Sequence, residues 1–198
     1  MKTFFPTLLT VIVLTSGAAL AFPQQQDEPL FPVVDQGRTT YIDRTGKVVL
    51  TVPYAGSRFF DGLARVSVNF RHGYIDRTGK LVIGPLPYAG REFSNGLAMV
   101  EGGEPCTYAE TKQKYGYIDR TGRVAISPGF QEAGPFSEGL AAVIVSEQPG
   151  SAGGRIGYID RTGRMVIQPK FDQGGIETDF PFSEGLAAVP IEHAKWGY

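Results

Sequence analysis

The chain has few of the residues on which most enzyme and metal chemistry rests: its 198 residues include one cysteine, two histidines and one tryptophan. A single thiol, Cys106, cannot close an internal disulfide, so the fold must stand without that staple. Its setting, Glu104-Pro105-Cys106-Thr107, reads as loop, with no histidine nearby to activate a nucleophile. His72 and His193 are too isolated for a histidine-rich metal site and do not form the His-Glu-x-x-His zinc motif. No Gly-x-Ser-x-Gly elbow occurs, and no phosphate loop ending in Gly-Lys-Ser/Thr. The glycine-rich stretch at 150–154 falls in a connection between strands and reads as a flexible loop. Strong charge of either sign is also lacking. A formal net charge of −1 gives no global attraction to nucleic acid or to an acidic membrane surface.

What is abundant is turn-forming and apolar. There are 26 glycines and 14 prolines against a hydrophobic content of 42%, which suits one domain with many turns and short strands. The N-terminus reads as an export signal. Lys2 supplies the positive start, Leu8 to Leu14 supply most of the apolar stretch, and Ala19-Leu20-Ala21 is a small-x-small cleavage site. The apolar run is shorter than the roughly 20 residues of a membrane-spanning helix, and polar residues follow from Gln24. Residues 1–21 are therefore expected to be a signal-peptide helix removed after Ala21, leaving no stable membrane span. No cysteine stands at the cut for lipid attachment. Residues 22–38 read as a leader that becomes ordered near Leu30–Val34.

From residue 39 onward the chain repeats itself. Starts at Tyr41, Tyr74, Tyr117, Tyr158 and Tyr198 are 33, 43, 41 and 40 residues apart, intervals typical of repeat architectures. The first four continue identically as Tyr-Ile-Asp-Arg-Thr-Gly. A base and an apolar triplet follow, as in Lys80-Leu81-Val82-Ile83, and then an aromatic near a proline: Tyr54, Tyr88, Phe130 or Phe171. Each copy closes on Phe-x-x-Gly-Leu-Ala, at Phe59–Ala64, Phe93–Ala98, Phe136–Ala141 and Phe182–Ala187. Val66, Val100, Val143 and Val189 stand two residues after those alanines. Tyr-Ile-Asp and the triplet predict two strands joined by a tight Asp-Arg-Thr-Gly hairpin, in which Asp bonds onward to its own backbone and Gly takes the positive φ. Phe-x-x-Gly is a second turn and Leu-Ala-x-Val a third strand, with Leu on one face and Ala and Val on the other. Length varies in Glu101–Tyr115, Ser146–Ile156 and Asp172–Pro181, as loops allow. The third strand is expected to pair antiparallel with the first strand of the next copy.

Lys195-Trp196-Gly197-Tyr198, read with the Gly-Tyr-Ile-Asp starts and the Phe-Ser-Glu-Gly-Leu-Ala blocks, resembles the WG-repeat (KWG) family of bacterial proteins over residues 39–198. The tryptophan stands only at Trp196, with His72, Tyr115 and Ile156 in its place elsewhere, and Thr39-Thr40 replaces the residues ahead of the first tyrosine. The resemblance implies a binding or structural module without general enzymatic activity, and it brings no catalytic residues.

Four recurring groups remain to be weighed. Asp43, Asp76, Asp119 and Asp160 could be acid–base or metal carboxylates, but each is locked to a glycine three residues on and reads as turn structure. Asp61, Asn95, Glu138 and Glu184 precede the second turn's glycine, and a site needing one charge would not accept Asn, so these read as scaffold. The four start tyrosines could stack on sugars or form core, and burial decides between them. Arg44, Lys47, Arg77, Lys80, Arg120, Arg123, Arg161 and Arg164 would line one edge of a stack in register and attract an anionic polymer; as the alternative, they are solvated turn residues that deter edge pairing.

The sequence thus predicts an all-β tandem array of about four antiparallel meander repeats, three strands each, in an open or curled stack, with a β-propeller as the alternative. The expected role is an exported, non-catalytic scaffold in the periplasm or outside the cell, binding a protein or an envelope polymer and needing no cofactor or metal. The alternative role is a glycan- or anionic-polymer-binding module using the basic edge. Tyr198 is read as the first residue of a fifth copy that continues beyond the given sequence.

Overall fold

A computed structural model describes residues 28–102, 114–146, 153–172, 180–192 and 195–197, and every regular element among them is a β-strand. The segment expected to be a signal peptide, Cys106 and His193 lie outside the described residues. The strands form successive antiparallel meanders. The first sheet holds β1 (Phe31–Asp35), β2 (Arg38–Ile42) and β3 (Val48–Val52). The second holds β4 (Ala55–Phe60), β5 (Leu63–Val68), β6 (Arg71–Asp76) and β7 (Leu81–Ile83). The third holds β8 (Ala89–Ser94), β9 (Leu97–Gly102), β10 (Lys114–Asp119) and β11 (Val124–Phe130). The fourth holds β12 (Glu132–Ala133), β13 (Leu140–Ser146), β14 (Gly154–Asp160) and β15 (Met165–Asp172). A fifth pairs β16 (Val189–Glu192) with β17 (Lys195–Gly197).

The unit of structure is out of phase with the unit of sequence. As expected, each Leu-Ala-x-Val strand pairs with the Gly-Tyr-Ile-Asp strand of the next copy, with Ala64 opposite Ile75, Ala98 opposite Ile118 and Ala141 opposite Ile159. Every sheet after the first therefore draws on two copies. The count of three strands per repeat is corrected to four, because the residues just ahead of each Phe-x-x-Gly turn pair with the strand that follows. Ala55-Gly56-Ser57-Arg58 and Ala89-Gly90-Arg91-Glu92 have little intrinsic strand character, and pairing with a neighbour holds them extended where propensity does not. The array also takes in residues 31–38, which form the first hairpin with Gln36-Gly37 at its tip, both at positive φ.

Core lies between successive sheets, one layer per junction. Tyr41 and Val52 of the first sheet meet Ala64, Val66 and Ile75 of the second. Leu63, Tyr74 and Ile83 meet Ala98, Val100 and Ile118. Leu97, Tyr117 and Ile126 meet Ala141, Val143 and Ile159. Leu and Ala of one strand thus serve different layers, as strand alternation requires. The principal contacts run from each sheet to its neighbours in sequence, which makes an open stack.

One device recurs at every junction. The buried start tyrosine donates its hydroxyl to a backbone carbonyl of the next sheet: Tyr41 to Ser57 at 2.9 Å, Tyr74 to Arg91 at 2.6 Å and Tyr117 to Gly134 at 2.7 Å. Tyr158 reaches Phe180 in the same way at 3.2 Å. Each ring packs on the phenylalanine of the next Phe-x-x-Gly block, with centroids 4.8–5.0 Å apart. Burial pushes the Tyr41 and Tyr158 hydroxyls up to about 12, and those of Tyr74 and Tyr117 upward as well. The hydroxyl needs room. A methyl on Gly56 would lie 2.5 Å from the Tyr41 oxygen, and one on Gly90 would collide with that of Tyr74.

Gly90→Ala should therefore cost about 1–3 kcal/mol through overpacking. Adding Tyr74→Phe removes the colliding oxygen, so the double variant should lose less than the sum of the two single losses in urea unfolding. Strict additivity would show that the methyl and the hydroxyl do not compete for one space.

Candidate functional site

Both turns of each meander, the Phe-x-x-Gly turn and the Asp-Arg-Thr-Gly hairpin, lie at the same end of their sheet, and this end carries every recurring polar residue. In each hairpin one Asp oxygen accepts three bonds. Asp119 Oδ1 takes the Thr121 N–H at 2.8 Å, the Thr121 hydroxyl at 2.6 Å and the Arg123 N–H at 3.1 Å, and Asp43, Asp76 and Asp160 repeat the pattern. Gly46, Gly79, Gly122 and Gly163 close these turns at φ of 83–85°. The Thr hydroxyl is the main influence holding the carboxyls of Asp43, Asp119 and Asp160 below the usual range. At Asp76 burial is the largest single influence and pushes upward, but the Thr78 and Lys80 donors together outweigh it. The four carboxylates sit one per turn, as the turn reading expected.

The second turns form a ladder that the sequence reading missed. Asp61, Asn95, Glu138 and Glu184 adopt φ of 49–54°, each followed by a glycine also at positive φ. Asp61 accepts the Gly96 N–H of the next sheet's turn at 2.7 Å, and Asn95 accepts that of Gly139 at 3.1 Å. Glu138 takes the N–H groups of Glu184 at 2.7 Å and Gly185 at 2.9 Å. Ser94 and Ser137 reinforce it by donating to the carbonyls of Phe136 and Phe182. The common requirement is an acceptor oxygen and not a charge, so Asn serves as well as Asp or Glu. The variation among these residues, read as mere tolerance, was the signal.

The eight predicted bases stand in or beside the hairpin turns of successive sheets. Gly79 packs on Leu50 and Val52, Gly122 on Ile83 and Gly163 on Ile126, so each hairpin rests on its predecessor. They are not equivalent. Arg44 pairs with Glu28 at 3.2 Å, and Arg164 with Asp160 at 3.3 Å. Arg77 donates to the Glu28 carbonyl and lies over the Phe59 ring at 5.4 Å. Arg120 and Arg161 lean back over Gly62 and Gly96, the turns of the preceding sheet. Lys47, Lys80 and Arg123 project into solvent. The start tyrosines, 0–1% exposed, offer no aromatic face to a sugar. Among the described residues no three His, Cys, Asp or Glu side chains group as metal ligands.

A groove of about 800 Å³ opens in this edge where the first two sheets meet, lined by Leu30, Phe31, Phe59, Phe60, Asp61 and the guanidiniums of Arg58, Arg77 and Arg120 among others. It continues past Arg77 toward Arg44. Leu30, buried like Leu63, is the counterpart of that leucine, which puts Pro29 where Gly62 stands. Proline cannot take the positive φ that Gly62 has, so Pro29 does not repeat the turn conformation of the later sheets. Arg58 lies outside the recurring motif and sequence reasoning did not select it.

The model of the WG containing repeat matches residues 73–101, 115–146 and 156–191. The chain belongs to the WG-repeat family. No curated protein and no solved structure shows a detectable match. In this WG-repeat chain the motif glycine is a steric necessity: a methyl on Gly116 would lie 2.5 Å from the Ile126 carbonyl, and one on Gly157 2.7 Å from that of Ile167. The residue ahead of it faces the next layer, where Tyr115 and Ile156 supply the apolar surface. The first sheet lies outside the matched repeats.

A hairpin Asp has a lower pKa folded than unfolded, so its contribution is complete above the unfolded value near about 4 and is lost as pH falls through the folded value. The urea midpoint should therefore drop as pH is lowered from about 5 to about 2. Asp119→Asn keeps an acceptor oxygen but cannot titrate, and its midpoint should vary less steeply over that window. Equal slopes would mean that the turn carboxylate is not the group being titrated.

Proposed function

We propose that this WG-repeat chain is an exported, non-catalytic scaffold that holds a protein or polymer partner in the periplasm or outside the cell. The observation that carries this reading is the use already made of the recurring carboxylates. Each hairpin Asp accepts bonds from its own turn, and Asp61, Asn95 and Glu138 accept them from the next. Side chains saturated by fixed backbone donors keep the sheets in register and are poorly placed to exchange protons with a substrate. Export is supported by Lys2, the apolar run from Leu8 and the Ala19-Leu20-Ala21 motif. The alternative of an anionic-polymer-binding module is supported by guanidiniums that form no ion pair among the described residues.

N-terminal sequencing of the chain recovered from the extracytoplasmic fraction should begin at Phe22, and an intact Met1 there would remove the export reading. The full chain, used as bait on an intact envelope fraction, should retain a defined partner at low salt. Retention that survives high salt would identify an apolar protein contact, and retention that disappears would identify a polyelectrolyte. Turnover of envelope polymer, abolished by changing Asp119 or Asp160, would sink the scaffold reading.

A further inference from the structure

The groove at the first junction has an unusual charge balance. Arg58, Arg77 and Arg120 line it, and none of the three forms an ion pair among the described residues. Two lie over aromatic rings, Arg58 Cζ 5.5 Å from the Phe31 centroid and Arg77 Cζ 5.4 Å from that of Phe59. One Arg77 Nη is committed to the Glu28 carbonyl, which leaves its remaining N–H groups and the edge of Arg58 for a planar anion such as a carboxylate. Arg120 enters from the third sheet across the Gly62 turn, so the three cations come from different strands and converge only in the folded stack.

The remaining lining narrows the ligand. Phe60 is 44% exposed at a position where the later copies place Ser94, Ser137 and Ser183, so an apolar ring replaces a hydroxyl at the mouth. Asp61 commits one oxygen to the Gly96 N–H, which leaves the other able to accept a hydroxyl. Asp76 is absorbed in its turn. Three guanidiniums against two carboxylates leave a formal surplus of one positive charge in the groove. A free phosphate would face Asp61 with its second charge and leave the apolar wall uncovered. A sugar ring with one carboxylate presents a single charge, hydroxyls and a C–H face together.

We propose that this groove binds a carboxylate-bearing sugar unit, a hexuronate of an acidic polysaccharide, with Arg58, Arg77 and Arg120 on the carboxylate, Phe60 on the ring face and Asp61 on a hydroxyl. The inference rests on the polymer-binding reading of the hairpin edge and narrows it from eight bases along the stack to one pocket.

Calorimetric titration of the full chain with a linear tri-galacturonate tests it, with neutral galactotriose, tri-glutamate and inorganic phosphate as comparison probes. The uronide should bind, and more weakly as salt is raised. Arg58→Gln and Arg120→Gln should each weaken it by about tenfold with an unchanged thermal midpoint. Phe60→Ser should weaken the uronide and leave any binding of tri-glutamate unaltered. Lys80→Gln and Arg123→Gln, on the same edge but outside the groove, should leave affinity unchanged. If those two variants weaken binding as much as the groove variants, the general edge stands and the groove does not. Equal binding of phosphate or tri-glutamate overturns the sugar assignment, and no binding of the uronide overturns both readings.

Discussion

A buried tyrosine hydroxyl that must find a carbonyl is the constraint on which the stack depends. Each interior sheet is a short meander with an apolar face toward each neighbour, and burying these faces drives the stacking. The tyrosine is buried in one of them, 0–1% exposed, and it satisfies its hydroxyl by reaching across to a backbone carbonyl ahead of or beside the next Phe-x-x-Gly turn. That bond sets the distance and register between layers. It explains why Gly56 and Gly90 stand on the facing strand, why a phenylalanine comes next to cover the ring, and why the strand after it places the small Ala64, Ala98 or Ala141 toward the tyrosine's layer. The sequence motif is largely the footprint of this one junction, copied along the chain.

The polar residues at the turn end divide by what they satisfy. Hairpin aspartates serve their own turn, and the residues ahead of the second turn's glycine serve the next sheet's turn. Both tie down backbone N–H groups that would otherwise face solvent in strained positive-φ turns. The arginines lean on these turns from the neighbouring sheet, and where the motif is regular they meet a glycine. At the first junction Pro29 and Phe60 break the pattern, and a groove is lined by three arginines that form no ion pair among the described residues. The departure from the repeat, more than the repeat, is what opens the groove.

The hairpins, the alternation of Leu and Ala between layers, the pairing of each closing strand with the next copy's first strand and the structural role of the hairpin aspartates were all legible in the sequence. Each is a local consequence of residue type and spacing, repeated often enough to be unambiguous. The fourth strand was not legible, because Gly56 and Gly90 lower strand propensity for a reason that lies in another sheet. Nor was the ladder through Asp61, Asn95 and Glu138, since its partners are 35 to 47 residues away and its shared property is one oxygen atom. Arg58 carries no periodic signal at all.

By itself the sequence determined that the chain is a tandem β array, where its turns fall, and that its recurring polar residues bend the backbone, since those features depend on neighbours a few residues away. Only the tertiary structure decided which bases are spoken for and which converge, because a guanidinium's partners are set by the stacking of sheets whose residues are far apart along the chain. Arg44 and Arg77 occupy the same place in the motif, yet the first pairs with Glu28 and the second lies on Phe59, and that difference exists only once the layers are in contact.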